Sequence, residues 1–315
     1  METPRLIFST SPHDHTKRTT PGAMFHVLVA LLPAIAVSLW YFRLPALGVL
    51  LVSVLSCLAV EWAVTRFMFK RPSTLADGSA LLTGVLLALN LPAGLPLWMT
   101  AAGAVIAIGV AKLAFGGLGC NVFNPALVGR VFLLISFPVA MTTFPVPLAD
   151  GVTGPTLLTS VKLGTMSPDE LGMMPLLSGD MGGSMGEVSA AALLLGFAYL
   201  LCVRVISWHI PVSIVAGLAV VDLIAGYPVI PDILSGGLLL GAIFMATDYV
   251  TSPMTRRGML LYGVLIGMLT AVIRRWGAYP EGMSFSILIM NGFTPLINRY
   301  VRPSRFAPRR KEETA

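Results

Sequence analysis

Residues 24–66 read MFHVLVALLPAIAVSLWYFRLPALGVLLVSVLSCLAVEWAVTR, two apolar runs, 24–42 and 46–66, that meet around Arg43. An α-helix crossing ~30 Å of hydrocarbon needs about 20 predominantly apolar residues, and each run is that long. The same reading places further spans near 76–91, 96–114, 125–142, 188–206, 210–226, 233–249, 258–274 and 282–299. The third and eighth of these are short and glycine-rich. Composition agrees: 56% of the 315 residues are hydrophobic and 11% are charged, where an ordinary soluble domain carries roughly 25%. Mean hydropathy is +0.83. A water-soluble globule is excluded, and the long continuous apolar runs exclude disorder, collagen and coiled coil. The expected fold class is an all-α polytopic membrane protein with about ten transmembrane helices. Ten spans use about 200 residues, so most connections are short and the bundle is compact.

The rest of the chain divides around these spans. Residues 1–23 form a polar tail, 24–142 a first five-helix half, 143–187 a long loop, 188–299 a second five-helix half and 300–315 a basic tail. No small-residue cleavage site follows the first apolar run, so an uncleaved first helix is expected. Lys and Arg are retained on the cytoplasmic side of a membrane. With both termini cytoplasmic, 16 of the 21 Lys and Arg fall inside, whereas Arg43, Lys162, Arg274 and Arg275 fall outside and Arg130 lies within a span. The expected location is therefore an inner membrane, with the acidic loop 143–187 on the periplasmic side. The outer pair Arg274 and Arg275 is the exception to the bias, facing a carboxylate or another subunit, or snorkelling from the end of its span.

The halves look related. Gly84 and Gly241 sit in similar leucine-rich contexts, and Gly116-Gly117 after the fourth span is matched by Gly277 after the ninth. Five spans per half is an odd number, so a duplicated unit has inverted topology, the arrangement in which broken helices meet near the midplane and form a site. Asn90-Leu91-Pro92 and Thr247-Asp248 supply the polar breaks.

Nothing in the chain reads as a hydrolytic or metal centre. Cys57, Cys120 and Cys202 are far apart without CxxC spacing, His13 and His15 lie in the polar tail, His26 and His209 read as interfacial, and no phosphate-binding glycine pattern follows a strand. What remains is polar chemistry at membrane depth, where a carboxylate costs about 2.5–3.5 kcal/mol on insertion scales unless it faces a cavity or a partner. Glu61, Asp222, Asp248 and Asp77 are the candidates for a cation pathway, together with freed carbonyls near Asn90 and Thr247. For Asp77 the simpler reading is a helix cap before Gly78-Ser79.

The outer loop contains Asp150-Gly151-Val152-Thr153-Gly154-Pro155-Thr156-Leu157-Leu158. By propensity this is a pair of turns. It is also similar to the D-x-x-(S/T)-G-A-(T/S) motif of a family of membrane flavoprotein subunits, the RnfD/NqrB family, found in bacterial Rnf electron-transport complexes and in sodium-pumping NADH:quinone reductases. Further blocks in the same order carry the resemblance along nearly the whole chain: Ser11-Pro12-His13, Gly117-Leu118-Gly119-Cys120-Asn121 with Phe123-Asn124-Pro125-Ala126, Gly183-Ser184-Met185-Gly186-Glu187, Met245-Ala246-Thr247-Asp248 and Tyr279-Pro280-Glu281-Gly282. The length resembles the Rnf member more than the sodium-pump member. The resemblance implies FMN attached through a phosphoester to Thr156 by a flavin transferase, with Asp150, Thr153 and Gly154 in the recognition motif. Pro155 stands where alanine is usual; it fixes φ and removes a donor but leaves the hydroxyl in place.

The resemblance further implies a non-covalent riboflavin within the membrane part. It implies a place in a complex coupling electron transfer between ferredoxin and NAD to Na+ or H+ translocation. Partners would be a periplasmic flavoprotein subunit, membrane iron–sulfur subunits, the ferredoxin- and NAD-side subunits and membrane lipid, with no nucleic acid; the chain would be part of a translocase with no stand-alone catalytic site. Composition and topology by themselves also fit a flavin-free channel or solute carrier with the same inverted-repeat bundle, or a structural scaffold.

Overall fold

The computed structural model describes residues 19–71, 74–145, 153–154, 156–162, 177, 182–279 and 281–301. Helix α1 covers Thr20–Ala63 and runs on through a π-helical turn, Val64–Met68. Thr19 caps it, its Oγ1 accepting from the Gly22 amide at 3.3 Å, and Pro21 sits in the first turn, where no N–H is needed. The helix is broken at Arg43, whose φ of 51° and ψ of −131° are non-helical. In a straight helix Met24 and Glu61 would lie about 55 Å apart. Both instead adjoin residues 74–79: a Cβ on Gly78 would be 3.6 Å from Met24 Cβ, and Glu61 Oε1 accepts from the Thr74 hydroxyl at 2.6 Å. α1 is therefore a hairpin whose two arms are the two apolar runs of the sequence.

Helix α2, Ser79–Leu89, is 11 residues long, about 16 Å, half the depth of a bilayer. Asp77 caps it, accepting from the Ser79 amide (2.9 Å) and hydroxyl (2.6 Å). Helix α3, Leu97–Val105, widens into a π-helical stretch, Ile106–Leu113. Helix α4, Pro125–Ser136, is capped by Asn124. The expected span 125–142 is interrupted at Phe137, since a residue before proline is driven out of the helical region; α5, Pro138–Thr142, follows. Strands β1, Phe144–Pro145, and β2, Thr153–Gly154, pair antiparallel, Phe144 opposite Gly154, and α6, Leu157–Lys162, comes next. Then come α7 Ala190–Cys202, α8 His209–Ala225 and α9 Val229–Leu234. The expected span 233–249 is likewise broken. Gly236 and Gly237, both at φ 66°, separate α9 from α10, which covers Leu238–Leu240 and continues as the π-helical Gly241–Met245. Helices α11, Arg256–Trp276, and α12, Met283–Tyr300, complete the described part.

The described residues are helical apart from that one two-residue ladder. Two stretches, Thr20–Met68 and Arg256–Trp276, are long and apolar enough to cross a bilayer, and five further apolar helices are shorter. The distribution of polarity is that of a membrane protein: Leu32, Trp40, Leu44, Leu55, Leu223 and Ile224 point outward, whereas Glu61, Lys112, Arg130, Asp222, Asp232 and Arg274 are buried.

Contacts define two faces. At the Thr19 face lie the start of α1, residues 74–79, Lys112 and Tyr249. At the Thr156 face lie Phe144, Thr159, Gly277 and Tyr279. α3 ends at the first face with Lys112 and α11 ends at the second with Arg274 and Arg275, so these two helices run in opposite directions. α2 and α10 enter from opposite faces and stop where they meet, the Asn90 amide donating to Met245 Sδ at 3.5 Å. Small residues allow close approach elsewhere. A Cβ on Gly267 would sit 2.7 Å from the Leu218 amide nitrogen, and one on Gly263 would sit 2.8 Å from the Ile210 carbonyl, so α11 and α8 touch backbone to backbone.

Candidate functional site

Thr156 lies just before α6 and is 5% exposed. Its Oγ1 is 2.8 Å from Thr159 Oγ1 and accepts from the Thr159 amide at 3.3 Å, so the hydroxyl begins the helix as a cap. Thr159 reaches a cleft with about 400 Å³ of open volume, lined by Phe144, Tyr279, Glu281, Ser284 and Phe285 among others, in which the Tyr279 and Phe285 rings stack at 5.1 Å. α6 is held on the bundle at both ends. Leu158 packs on Gly236, and Lys162 Nζ donates to the Gly277 carbonyl at 2.5 Å. Loss of solvation, and then the neighbouring Arg275, hold the Lys162 ammonium below the usual lysine range.

A larger cavity opens at the Thr19 face, with about 810 Å³ up to its mouth. Its walls are apolar, with Leu82, Leu86, Leu200, Ile243 and Phe244, and its polar groups are Ser79, Lys112, Asn121, Asn124, Thr247 and Asp248. That proportion, mostly apolar with a few convergent polar groups, is characteristic of sites for flat organic cofactors. Asp248 accepts from the Thr251 hydroxyl at 3.2 Å.

Between the two cavities the buried charges are paired. Glu61 Oε2 meets Lys112 Nζ at 2.6 Å, and the same ammonium donates to Ser79 Oγ at 2.5 Å. Arg130 donates to Asn90 Oδ1 and Ser284 Oγ, each at 3.0 Å, and pairs with Glu281. Near the Thr156 face, Arg275 bridges Asp222 (2.9 Å) and Asp232 (3.0 Å) with its guanidinium 3.8 Å over the Tyr227 ring. Arg274 pairs with Asp232 at 3.1 Å and donates to the Ser235, Gly236 and Glu281 carbonyls. Arg274 and Arg275, the exceptions to the charge bias, therefore face carboxylates of their own chain.

The family described as NQR2, RnfD, RnfE matches residues 7–307. The chain belongs to that family. It is 46% identical over 304 residues, 94% of each chain, to the RnfD-type component of the Na(+)-translocating ferredoxin:NAD(+) oxidoreductase complex of Acetobacterium woodii. It is 39% identical over 323 residues, 97% of each chain, to the corresponding component of the proton-translocating ferredoxin:NAD(+) oxidoreductase complex of Clostridium ljungdahlii. To that of the ion-translocating oxidoreductase complex of Stutzerimonas stutzeri it is 39% identical over 322 residues, 90% of this chain and 91% of the relative.

In this member of the NQR2, RnfD, RnfE family the site residues read from sequence fall into separate groups. Thr156 and Gly154 lie at the Thr156 face, Thr153 pairs with Pro145 in the ladder, and Asp150 lies outside the described residues, as do Pro155 and the tail with His13 and His15. Thr247 and Asp248 line the large cavity, and Asn90 sits at the meeting of the half-helices. Glu61 and Asp222 are not free carboxylates, because each already holds a cation. The carbonyls expected to be freed at the breaks are engaged as well. Leu89 and Leu91 accept from the Gly186 (2.6 Å) and Met185 (3.1 Å) amides, Leu86 from the Asn90 amide (2.7 Å), and Met245 from Asn124 (3.2 Å); buried carbonyls rarely go unpaired. Sequence reading passed over Lys112, Asp232 and Glu281, and noted Arg130 without a partner. One signal was available: Glu61 precedes Lys112 by 51 residues and Asp222 precedes Arg275 by 53, at matching places in the two halves.

Proposed function

We propose that this chain is the membrane subunit of an Rnf-type complex that couples electron transfer between ferredoxin and NAD to Na+ or H+ translocation. Similarity over nearly the full length of the relatives so named carries this reading. The chain contributes to an enzyme complex and holds no catalytic site of its own. It lies in the inner membrane as ten spans in two inverted halves, with both termini cytoplasmic. Three features support that topology: the charge bias, the opposite directions of α3 and α11, and the meeting of two half-helices. Its partners are the periplasmic flavoprotein subunit, the membrane iron–sulfur subunits, the ferredoxin- and NAD-side subunits and lipid.

FMN is carried on Thr156 after transfer by a flavin transferase. The residues present fit it, since the hydroxyl stands one helical turn from a cleft whose Tyr279–Phe285 stack offers an aromatic surface. A bound flavin supplies one- and two-electron chemistry, and the protein supplies position and electrostatics. Thr159 orients the hydroxyl, while Lys162 and Leu158 fix the segment against α11 and Gly236. The larger cavity suits a second, non-covalent flavin, riboflavin, with Asn121, Asn124 and Lys112 as polar contacts. Asn90, Thr247, Asp248, Glu61 and Asp222 flank the ion pathway, Glu61 and Asp222 acting through their cation partners.

Denaturing electrophoresis under ultraviolet light tests the attachment. With the flavin transferase coexpressed, the wild-type band is expected to fluoresce, Thr156→Ser to keep fluorescence and Thr156→Ala to lose it. A dark wild-type band would favour a flavin-free carrier instead.

A further inference from the structure

The two buried ion pairs occupy equivalent places in opposite halves of the chain. In the first half, Glu61 near the end of the second expected span holds Lys112 at the end of the fourth, and Lys112 also holds the first residue of the short helix α2. In the second half, Asp222 near the end of α8 holds Arg275 at the end of α11, and Arg275 also holds Asp232, just before the break that precedes the short helix α10. Because corresponding helices run in opposite directions, one cluster lies at each face. Each ties two spans to the foot of one half-helix.

A line of polar contacts joins them through an otherwise apolar interior. From the cavity that Lys112 lines, Asn124 donates to the Met245 carbonyl (3.2 Å), Asn90 contacts Met245, and Arg130 links Asn90 to Glu281. The Glu281 carbonyl accepts from Arg274 Nε at 3.1 Å, which brings the line to the other cluster. Asp222 Oδ2, in a side chain with no solvent exposure, has no hydrogen-bond partner among the described residues, so this cluster is not a fully satisfied structural tie.

We propose that the Glu61–Lys112 and Asp222–Arg275 pairs are matched gates at the two ends of one polar path. Ions pass only when each gate in turn is released. The proposal rests on the translocation part of the reading above and needs nothing of its flavin part. Each gate also adjoins one candidate cofactor position: Lys112 faces the large cavity, and Arg274, which shares Asp232 with Arg275, lies against Gly236 beneath Leu158 of α6. Release at either end is therefore within reach of a change of charge at that position.

The test uses the assembled complex in liposomes without electron donor, so its outcome is independent of flavin content. Passive entry of 22Na+, and of protons with an entrapped dye, is measured for Glu61→Leu/Lys112→Met, for Asp222→Leu/Arg275→Met and for all four substitutions together. A closed gate is open about 10% of the time or less, so the fourfold variant is expected to leak at least about ten-fold faster than the two single-face variants combined. A fourfold leak no greater than that combination overturns the proposal. Should the fourfold variant fail to assemble, the single-face variants decide the matter by thiol labelling. With Cys57, Cys120 and Cys202 replaced by alanine, Ser284→Cys is expected to react with a small impermeant methanethiosulfonate. The reaction should come from the Thr19 face when Glu61–Lys112 is removed and from the Thr156 face when Asp222–Arg275 is removed. No reaction, or the same sidedness in both, counts against the gates.

Discussion

Arg130 shows what a buried charge asks of its surroundings. Its guanidinium satisfies Asn90, Ser284 and Glu281 at once, contacts that come from three separate parts of the chain. Arg130→Met leaves the Glu281 carboxylate buried without its cation and is expected to cost roughly 3–5 kcal/mol. Arg130→Lys keeps the charge but not the planar fork, so it restores only part of the loss. Thermal denaturation of the purified complex measures both, and an unchanged midpoint for Arg130→Met would show that the pairing carries no stability. The charge itself was legible in the sequence as an ionisable residue inside a span. Its partner was not, because Glu281 lies 151 positions away and only packing brings the two together. Thr156 presents the opposite case: its motif is local and can be read, whereas the inward turn of its hydroxyl onto Thr159 follows from the way α6 docks.

At the scale of elements, the two short helices were legible from glycine content and from the polar breaks after them. Their partners differ, however. A Cβ on Gly84 would lie 2.8 Å from Val54 Cα, a backbone atom of the second arm of α1, and the Ser53 hydroxyl donates to the Gly84 carbonyl at 2.7 Å. A Cβ on Gly241 would lie 2.7 Å from Met283 Cγ, a side chain able to swing away. Gly84→Ala is therefore expected to destabilise by about 1–3 kcal/mol and Gly241→Ala by less; comparative melting of the two variants checks the order. The break at Phe137–Pro138 could have been read from the proline, but hydropathy averages across it, and one span was drawn where the chain bends. Carbonyl pairing at the half-helix ends could not be read at all. The donors, Met185 and Gly186, come from a loop on the far side of the long acidic segment.

Across the whole molecule, charge pairing obeys the twofold relation better than sequence similarity does. The positive-inside bias could be counted from the sequence, and the exceptions to it, Arg274 and Arg275, mark the place where Asp222 and Asp232 gather cations. Stability should reflect the pairing. Glu61→Gln strands Lys112 and is expected to cost roughly 3–5 kcal/mol, whereas Glu61→Leu/Lys112→Met removes both charges and is expected to cost less than the single change. A double-mutant cycle on complex yield and melting temperature reads the coupling; additive losses would mean the two groups do not interact.

The reversal at Arg43 fixes a phase. The two arms of α1 meet with a single non-helical residue between them, so no loop is present to absorb a change in length. One residue added there turns the second arm by about 100° about its axis. Ser53 would then swing away from Gly84, and Glu61 from both Thr74 and Lys112. The spacing from Arg43 to Glu61 is thus as much a determinant of the Thr19 face as the identity of either residue.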